Sequence, residues 1–335
     1  MPDMFRSWGA APLAAPVPTV PHLDFPAMMN GLLGAFAPHP ARDQGFDVVG
    51  ASRAGAAHAL GSLALPWVGA PNPGPVQTKT PKNASELAMY GLDGKPHGRD
   101  VVQDDINDCY FVGAEAAVAD MSGGLISNMI HPGKDGGYVV NLYDKSGSKR
   151  DVKVSSADVQ ALLNHHPDQE VLWPVVLEAA QARIEGGAPG NPIQFGIDSL
   201  DETGLPGTGL QALTGHSDTL LFPNAGSDLT KTMGLVNSGT PVVMATWKSM
   251  TPLGLDPHRD GLVSAHVYEV MSMHKDPDGT VWGLVNNPWG HNRSHGNKGD
   301  WDVPAVSDVP GSKWVNLTQA IDHGGIASFA TAGSF

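Results

Sequence analysis

Three side chains are of the types that together perform acyl transfer: Cys109, His266 and Asn287. A thiol attacks a carbonyl only as its thiolate, and a helix N-terminus or a neighbouring imidazolium lowers the thiol pKa. Cys109 opens an Ala-rich apolar run, residues 109–121, preceded by Asn107 and Asp108 as N-cap residues. The run predicts a buried helix that starts at the thiol. A cysteine on such a helix is also a common core residue, so the run alone leaves both roles open. The other two residues belong to a second pattern. Residues 266–274 and 280–286 alternate like strands around Asp276-Pro277-Asp278-Gly279, a strong turn signal. Closed symmetrically about that turn, the hairpin pairs Tyr268 with Asn287 and His266 with Trp289. His266 and Asn287 then share a face as diagonal neighbours, within about 7–8 Å of each other. The Asn carbonyl would accept the His Nδ1–H and leave Nε2 for the thiol. A turn shifted by one residue would undo this parity, and a strand histidine alone reads as well as a satisfied core residue.

These residues need elements to position them. Trp173, Leu177, Ala180 and Ile184 recur at helical spacing behind Pro174, which predicts an amphipathic helix ended by Gly186-Gly187. Residues 137–143 and 151–154 read as strands joined by a turn, residues 229–237 as a short helix, and residues 241–247 as a buried strand. The layout is a helical first half carrying Cys109 and a β-rich second half carrying His266. Ahead of it, residues 1–85 are rich in Ala, Pro and Gly, and 14 of the 28 prolines fall in the first 100 residues. That region reads as a loosely ordered extension or a solvated tail, with one short helix near 52–64.

Composition narrows the function classes. One cysteine among 335 residues forms no internal disulfide and builds no Cys-rich zinc or iron–sulfur site. A net charge of −14 without a basic run argues against nucleic-acid binding. The most apolar stretch, residues 54–70, contains His58 and Pro66 and falls short of the roughly 20 apolar residues of a membrane span. No cleavable signal is recognisable at the start. The expectation is a protein in the cytoplasm, or one exported into another cell without such a signal. His291 and His295 are four apart, but in a Gly/Asn-rich loop that reads as solvated rather than metal-binding.

Several words of the chain resemble the calpain family of cysteine proteases. Gln103-Asp104-Asp105-Ile106-Asn107-Asp108-Cys109-Tyr110-Phe111 is similar to the family's nucleophile motif Gln-Gly-x-x-Gly-Asp-Cys-Trp-Phe. Ala265-His266-Val267-Tyr268-Glu269-Val270 looks like its Gly-His-Ala-Tyr-x-Val, and Asn286-Asn287-Pro288-Trp289-Gly290 its Arg-Asn-Pro-Trp-Gly. The helix at 172–186 and Leu213-Thr214-Gly215 add two more matches, in the right order between about residues 95 and 302. The resemblance implies a papain-like two-lobed α+β fold, with Cys109 as nucleophile, His266 as general base and acid, and Asn287 orienting it. It also implies that Gln103 donates to the oxyanion with the Cys109 backbone N–H, and that Trp289 shields the His–Asn bond.

There are departures. Asp104 and Asn107 stand where the motif has glycines, and Asp104 brings a negative charge near the oxyanion hole. Tyr110 replaces Trp. The acidic calcium-site signatures of animal calpain cores and EF-hand loops are not recognisable, so calcium dependence and any other cofactor are unsupported. The reading is an extension, 1–85, and a cysteine endopeptidase core, 86–335, with lobes at about 86–195 and 196–335. It acts on a protein substrate and has room for an inhibitor or immunity protein as partner. The composition suits a bacterial effector or toxin. Alternatives are a deamidase or transglutaminase on the same triad, or a pseudo-protease that only binds.

Overall fold

In a computed structural model, residues 82–186, 190–201, 204–249, 255–292 and 305–335 are described, all within the unit 51–335. The helix expected near 52–64, almost all of the extension, Gly187 and His295 lie outside the described residues.

Helix α1, Cys109–Met129, starts at the thiol as its N-cap signals predict and buries every residue from Tyr110 to Ala119. It runs eight residues past the expected end because Ser122-Gly123-Gly124, all weak helix formers, produce a kink at Ser122 (φ −149°, ψ 45°) rather than a stop. Strands β1 (Ile130–Pro132), β2 (Tyr138–Tyr143) and β3 (Lys149–Val154) form an antiparallel three-stranded sheet in that order. Helix α2, Ser156–Leu163, is started by a reciprocal Ser155/Asp158 capping box.

Helix α3, Trp173–Glu185, corrects the amphipathic reading. Every residue from Trp173 to Ala182 is buried, Glu178 and Gln181 included. Helices α1 and α2, sheet strands β2 and β3, and helix α4 (Ile193–Asp201) surround it on all sides. Helix α5, Pro206–Thr214, packs on α1 and ends at Gly215, which takes the left-handed cap conformation at φ +77°. Ile197, Leu200, Leu210 and Leu213 therefore join the same apolar core as α1 and α3, although they follow residue 195.

The second sheet has the order β4 (Asp218–Leu221), β9 (Ile326–Thr331), β5 (Val242–Thr246), β6 (Val267–Lys275), β7 (Val281–Asn286), β8 (Ser312–Asn316), with all pairs antiparallel. β5 is buried throughout because both its faces are covered, and its first four residues are apolar. Val243 and Ala245 join the α1 core, while Val242 and Met244 join a second core with α6 (Ser227–Asn237) and α7 (Leu317–Asp322). Through this two-sided sheet the nucleophile helix is packed directly on the strand that follows His266.

The β6–β7 hairpin departs from the symmetric closure twice, and the departures cancel. Gly279, at φ +94°, admits an extra residue into the turn, so Lys275 pairs with Val281 rather than Thr280. A bulge between Val270 and Ser272 inserts a compensating residue, and Glu269 pairs with Asn286 as the symmetric closure predicts.

Candidate active site

His266 stands just before β6 and Asn287 just after β7. The imidazole Nε2 lies 2.8 Å from Asn287 Oδ1, and both residues are buried. Asn287 Nδ2 donates to the His291 carbonyl at 2.9 Å, and the Trp289 N–H donates to Oδ1 at 3.1 Å, which fixes the amide orientation. Oδ1 can only accept, so His266 carries its proton on Nε2. This corrects the expected assignment. The ring reaches across to β7 with its far nitrogen, and Nδ1 is the nitrogen left over. The Trp289 ring covers the imidazole at 4.6 Å between centroids, and Tyr268 meets it edge-on at 5.0 Å. Burial pulls the His266 pKa down to about 4, against the pull of Asn287, so the ring is neutral at neutral pH.

Thr246, which the sequence did not signal, sets the bend before the histidine. Its Oγ1 accepts the His266 N–H at 3.0 Å and donates to the Val263 carbonyl at 2.6 Å. The bend forces Ala265 to φ +51°, where the motif has glycine. Asn107 and Asp104, which also replace motif glycines, are not at positive φ. The left-handed conformation costs a Cβ-bearing residue about 1–2 kcal/mol, and glycine's extra unfolded-state entropy returns about 0.5–1 of it. Ala265→Gly is therefore expected to raise stability by about 0.5–1 kcal/mol in denaturant titration. A loss of stability would show that the bend carries no strain.

Cys109 is partly buried against the first core at the start of α1. Burial pushes its thiol up to about 12, and hydrogen bonds from the backbone of Val267, Tyr110 and Cys109 itself work the other way. The thiol thus meets the residue directly after His266. Gln103 is tied to the same place from the other side, its N–H donating to the Pro288 carbonyl at 2.8 Å. Its side-chain Nε2 donates to the Ile106 carbonyl at 2.7 Å and leans on Asp108 Oδ1 at 3.4 Å. Asp104 turns toward the loop after α2, where its Oδ2 accepts the Asp168 N–H at 3.3 Å. Burial raises its carboxyl to about 6.

The hairpin brings His266, Asn287 and Trp289 into contact, Gln103 reaches them through the Pro288 carbonyl, and the Cys109 thiol meets Val267, the residue after His266. Among the described residues no three His, Cys, Asp or Glu side chains come together as a ligand set for a metal ion. No described helix is long and apolar enough to cross a membrane.

A half-buried thiol at a helix start, beside the strand that follows an Asn-oriented imidazole, supplies the groups a cysteine peptidase uses. The family model described as calpain family cysteine protease matches residues 69–305, more than half of the chain. The chain belongs to the calpain family. No curated protein is similar enough to it to count as a match.

Proposed function

We propose that this protein is a cysteine endopeptidase whose triad is Cys109, His266 and Asn287, on a papain-like core of two lobes at residues 86–335 behind the extension 1–85. The observation that carries the reading is the 2.8 Å Nε2–Asn287 bond under the Trp289 ring, which leaves Nδ1 as the proton acceptor beside the strand residue that meets the Cys109 thiol. Thiol and imidazole are both neutral at rest, so the reaction starts by general-base catalysis. Nδ1 takes the S–H proton as sulfur attacks the peptide carbonyl carbon. The oxyanion is held by the Cys109 backbone N–H and the Gln103 amide, whose long contact to Asp108 is easily given up. The intermediate then collapses, the C–N bond breaks, and Nδ1–H protonates the leaving amine. Water, deprotonated by Nδ1, hydrolyses the thioester and regenerates the thiol.

Incubation with a denatured protein mixture tests the proposal. New peptide N-termini that disappear in Cys109→Ala support an endopeptidase, while ammonia without cleavage means a deamidase. Asn287→Ala frees the ring to rotate and to change tautomer, and kcat is expected to fall about 100-fold with KM within about threefold. An unchanged kcat would remove Asn287 from the triad. One feature favours the binding-only reading: burial pushes the thiol up to about 12, away from the reactive thiolate. A folded wild type that cleaves nothing would establish it.

A further inference from the structure

We propose that His166 and Glu178 are positioning residues for the acyl transfer, their buried ion pair holding from behind the 102–108 segment that carries Gln103 and leads into Cys109. The proposal rests on the peptidase reading above. His166 lies in the loop after α2 and Glu178 in the middle of α3, and the two are essentially unexposed at 0% and 1%. His166 Nε2 lies 2.8 Å from Glu178 Oε2, and its Nδ1 lies 3.3 Å from the Val102 carbonyl. Both ring nitrogens thus face groups that only accept, so both carry protons and the ring is a cation.

Burial by itself would discharge that ring. Glu178, with Asp108 and Asp104 behind it, outweighs the burial and holds the imidazole up at about 10. The carboxyls show the converse. Asp108 and Glu115 are fully buried and held well above the ordinary carboxylate range, by burial first and by the charge of Glu178, with Asp108 adding to the effect on Glu115.

From this pair a chain of contacts runs through His166 to the Val102 carbonyl, next to Gln103. Glu178 also raises the Asp108 carboxyl next to Cys109, a side chain that does not cap α1. The same loop holds the chain just ahead of the segment through Gln169 Nε2, which donates to the Asp100 carbonyl at 2.7 Å. Two apolar side chains of the same volume would stabilise the core as well or better. What they would lack is direction: the contact from His166 to the Val102 carbonyl, on the main chain that leads through Gln103 to the nucleophile.

The test uses Glu178→Gln, which keeps volume and removes charge, and His166→Leu, which removes both donors. His166→Asn retains the donor toward Val102 in the position of Nδ1. Amide exchange over residues 101–109, kcat, KM and the melting temperature are measured on each full-length chain. We expect exchange over 101–109 at least tenfold faster in the first two variants, with exchange over β2 and β3 unchanged. Their kcat should fall about 10- to 100-fold with KM within about threefold, the scale of a misplaced reacting group. His166→Asn should recover most of the protection and part of kcat. If His166→Leu does not fold, Glu178→Gln carries the same readouts. Unchanged exchange in folded variants overturns the proposal, and so does faster exchange with wild-type kcat. A wild type that cleaves nothing sinks the peptidase reading instead, and exchange over 101–109 still decides whether the pair holds the segment.

Discussion

Cys109→Ala is expected to abolish cleavage, with a loss of about 10⁴-fold or more, and to leave no site for iodoacetamide, because the chain has no second thiol. The wild-type labelling profile carries more information than the loss. Only the thiolate reacts, and with the thiol at about 12 the folded protein should label roughly a thousandfold more slowly at pH 7 than a free cysteine. The rate should climb tenfold with each pH unit and show no plateau on the acid side. A thiolate–imidazolium pair would behave differently, labelling at a nearly constant rate from about pH 4 to 8. Such a flat profile would show that the two groups rest as ions and that general-base initiation is wrong. Cleavage has its own acid limb. His266 must be neutral to accept the proton, and its pKa is lowered to about 4. Activity should therefore persist well below the ordinary imidazole range near 6.5 and fall only as the pH passes about 4. A limb near 6.5 would mean that the ring is solvated in the working enzyme.

The second large effect is expected at Gly209 in α5. A Cβ there would press into the Tyr110 carbonyl oxygen and lie 2.9 Å from the Ala114 Cβ and 3.0 Å from the Phe111 Cα. These are main-chain and methyl atoms of the first turns of α1, with no flexible side chain to swing aside. Alanine would gain about 1 kcal/mol of helix propensity. The forced separation of two packed helices costs about 1–3 kcal/mol or more and wins. Gly209→Ala should destabilise the protein by about 2 kcal/mol, some 3–4 °C in Tm for a chain of this size. Because α1 begins at Cys109, kcat should fall at least tenfold through misplacement of the thiol. A variant with wild-type Tm and kcat would show that α5 can retreat without moving the nucleophile.

Much of the site was legible because it is written in local signals. Asn107-Asp108 before an Ala-rich run marks where α1 begins, and Asp276-Pro277-Asp278-Gly279 marks the hairpin that brings His266 toward Asn287. The register came out right for a reason the sequence did not display. The extra turn residue admitted by Gly279 is offset by a bulge near Met271, and each alone would have turned His266 and Asn287 to opposite faces. The nitrogen assignment failed because ring orientation depends on where the main chain of His266 is pinned. Thr246 does that pinning from a strand twenty residues away in sequence. β8, β9 and α7 escaped notice because they are short and pair with strands far off in the chain. Nothing near Ile326 announces a central strand between β4 and β5.

The sequence by itself determined the chemistry on offer: a single thiol at a helix start, a histidine and an asparagine at the two ends of one hairpin, and the family words around them. Periodicity, caps and turns act over a few residues, and that range suffices for these features. Only the tertiary structure decided the electrostatics. Glu178 lies in the helix that the spacing predicts as amphipathic and no local signal marks His166, yet both are buried and paired. Ala265 stands where the family motif has glycine, and only the structure shows it in a left-handed bend. Charge state and strain depend on what closes around a group, and in this fold that is supplied by α1, α3 and the two-faced sheet, whose contacts join residues scores of positions apart.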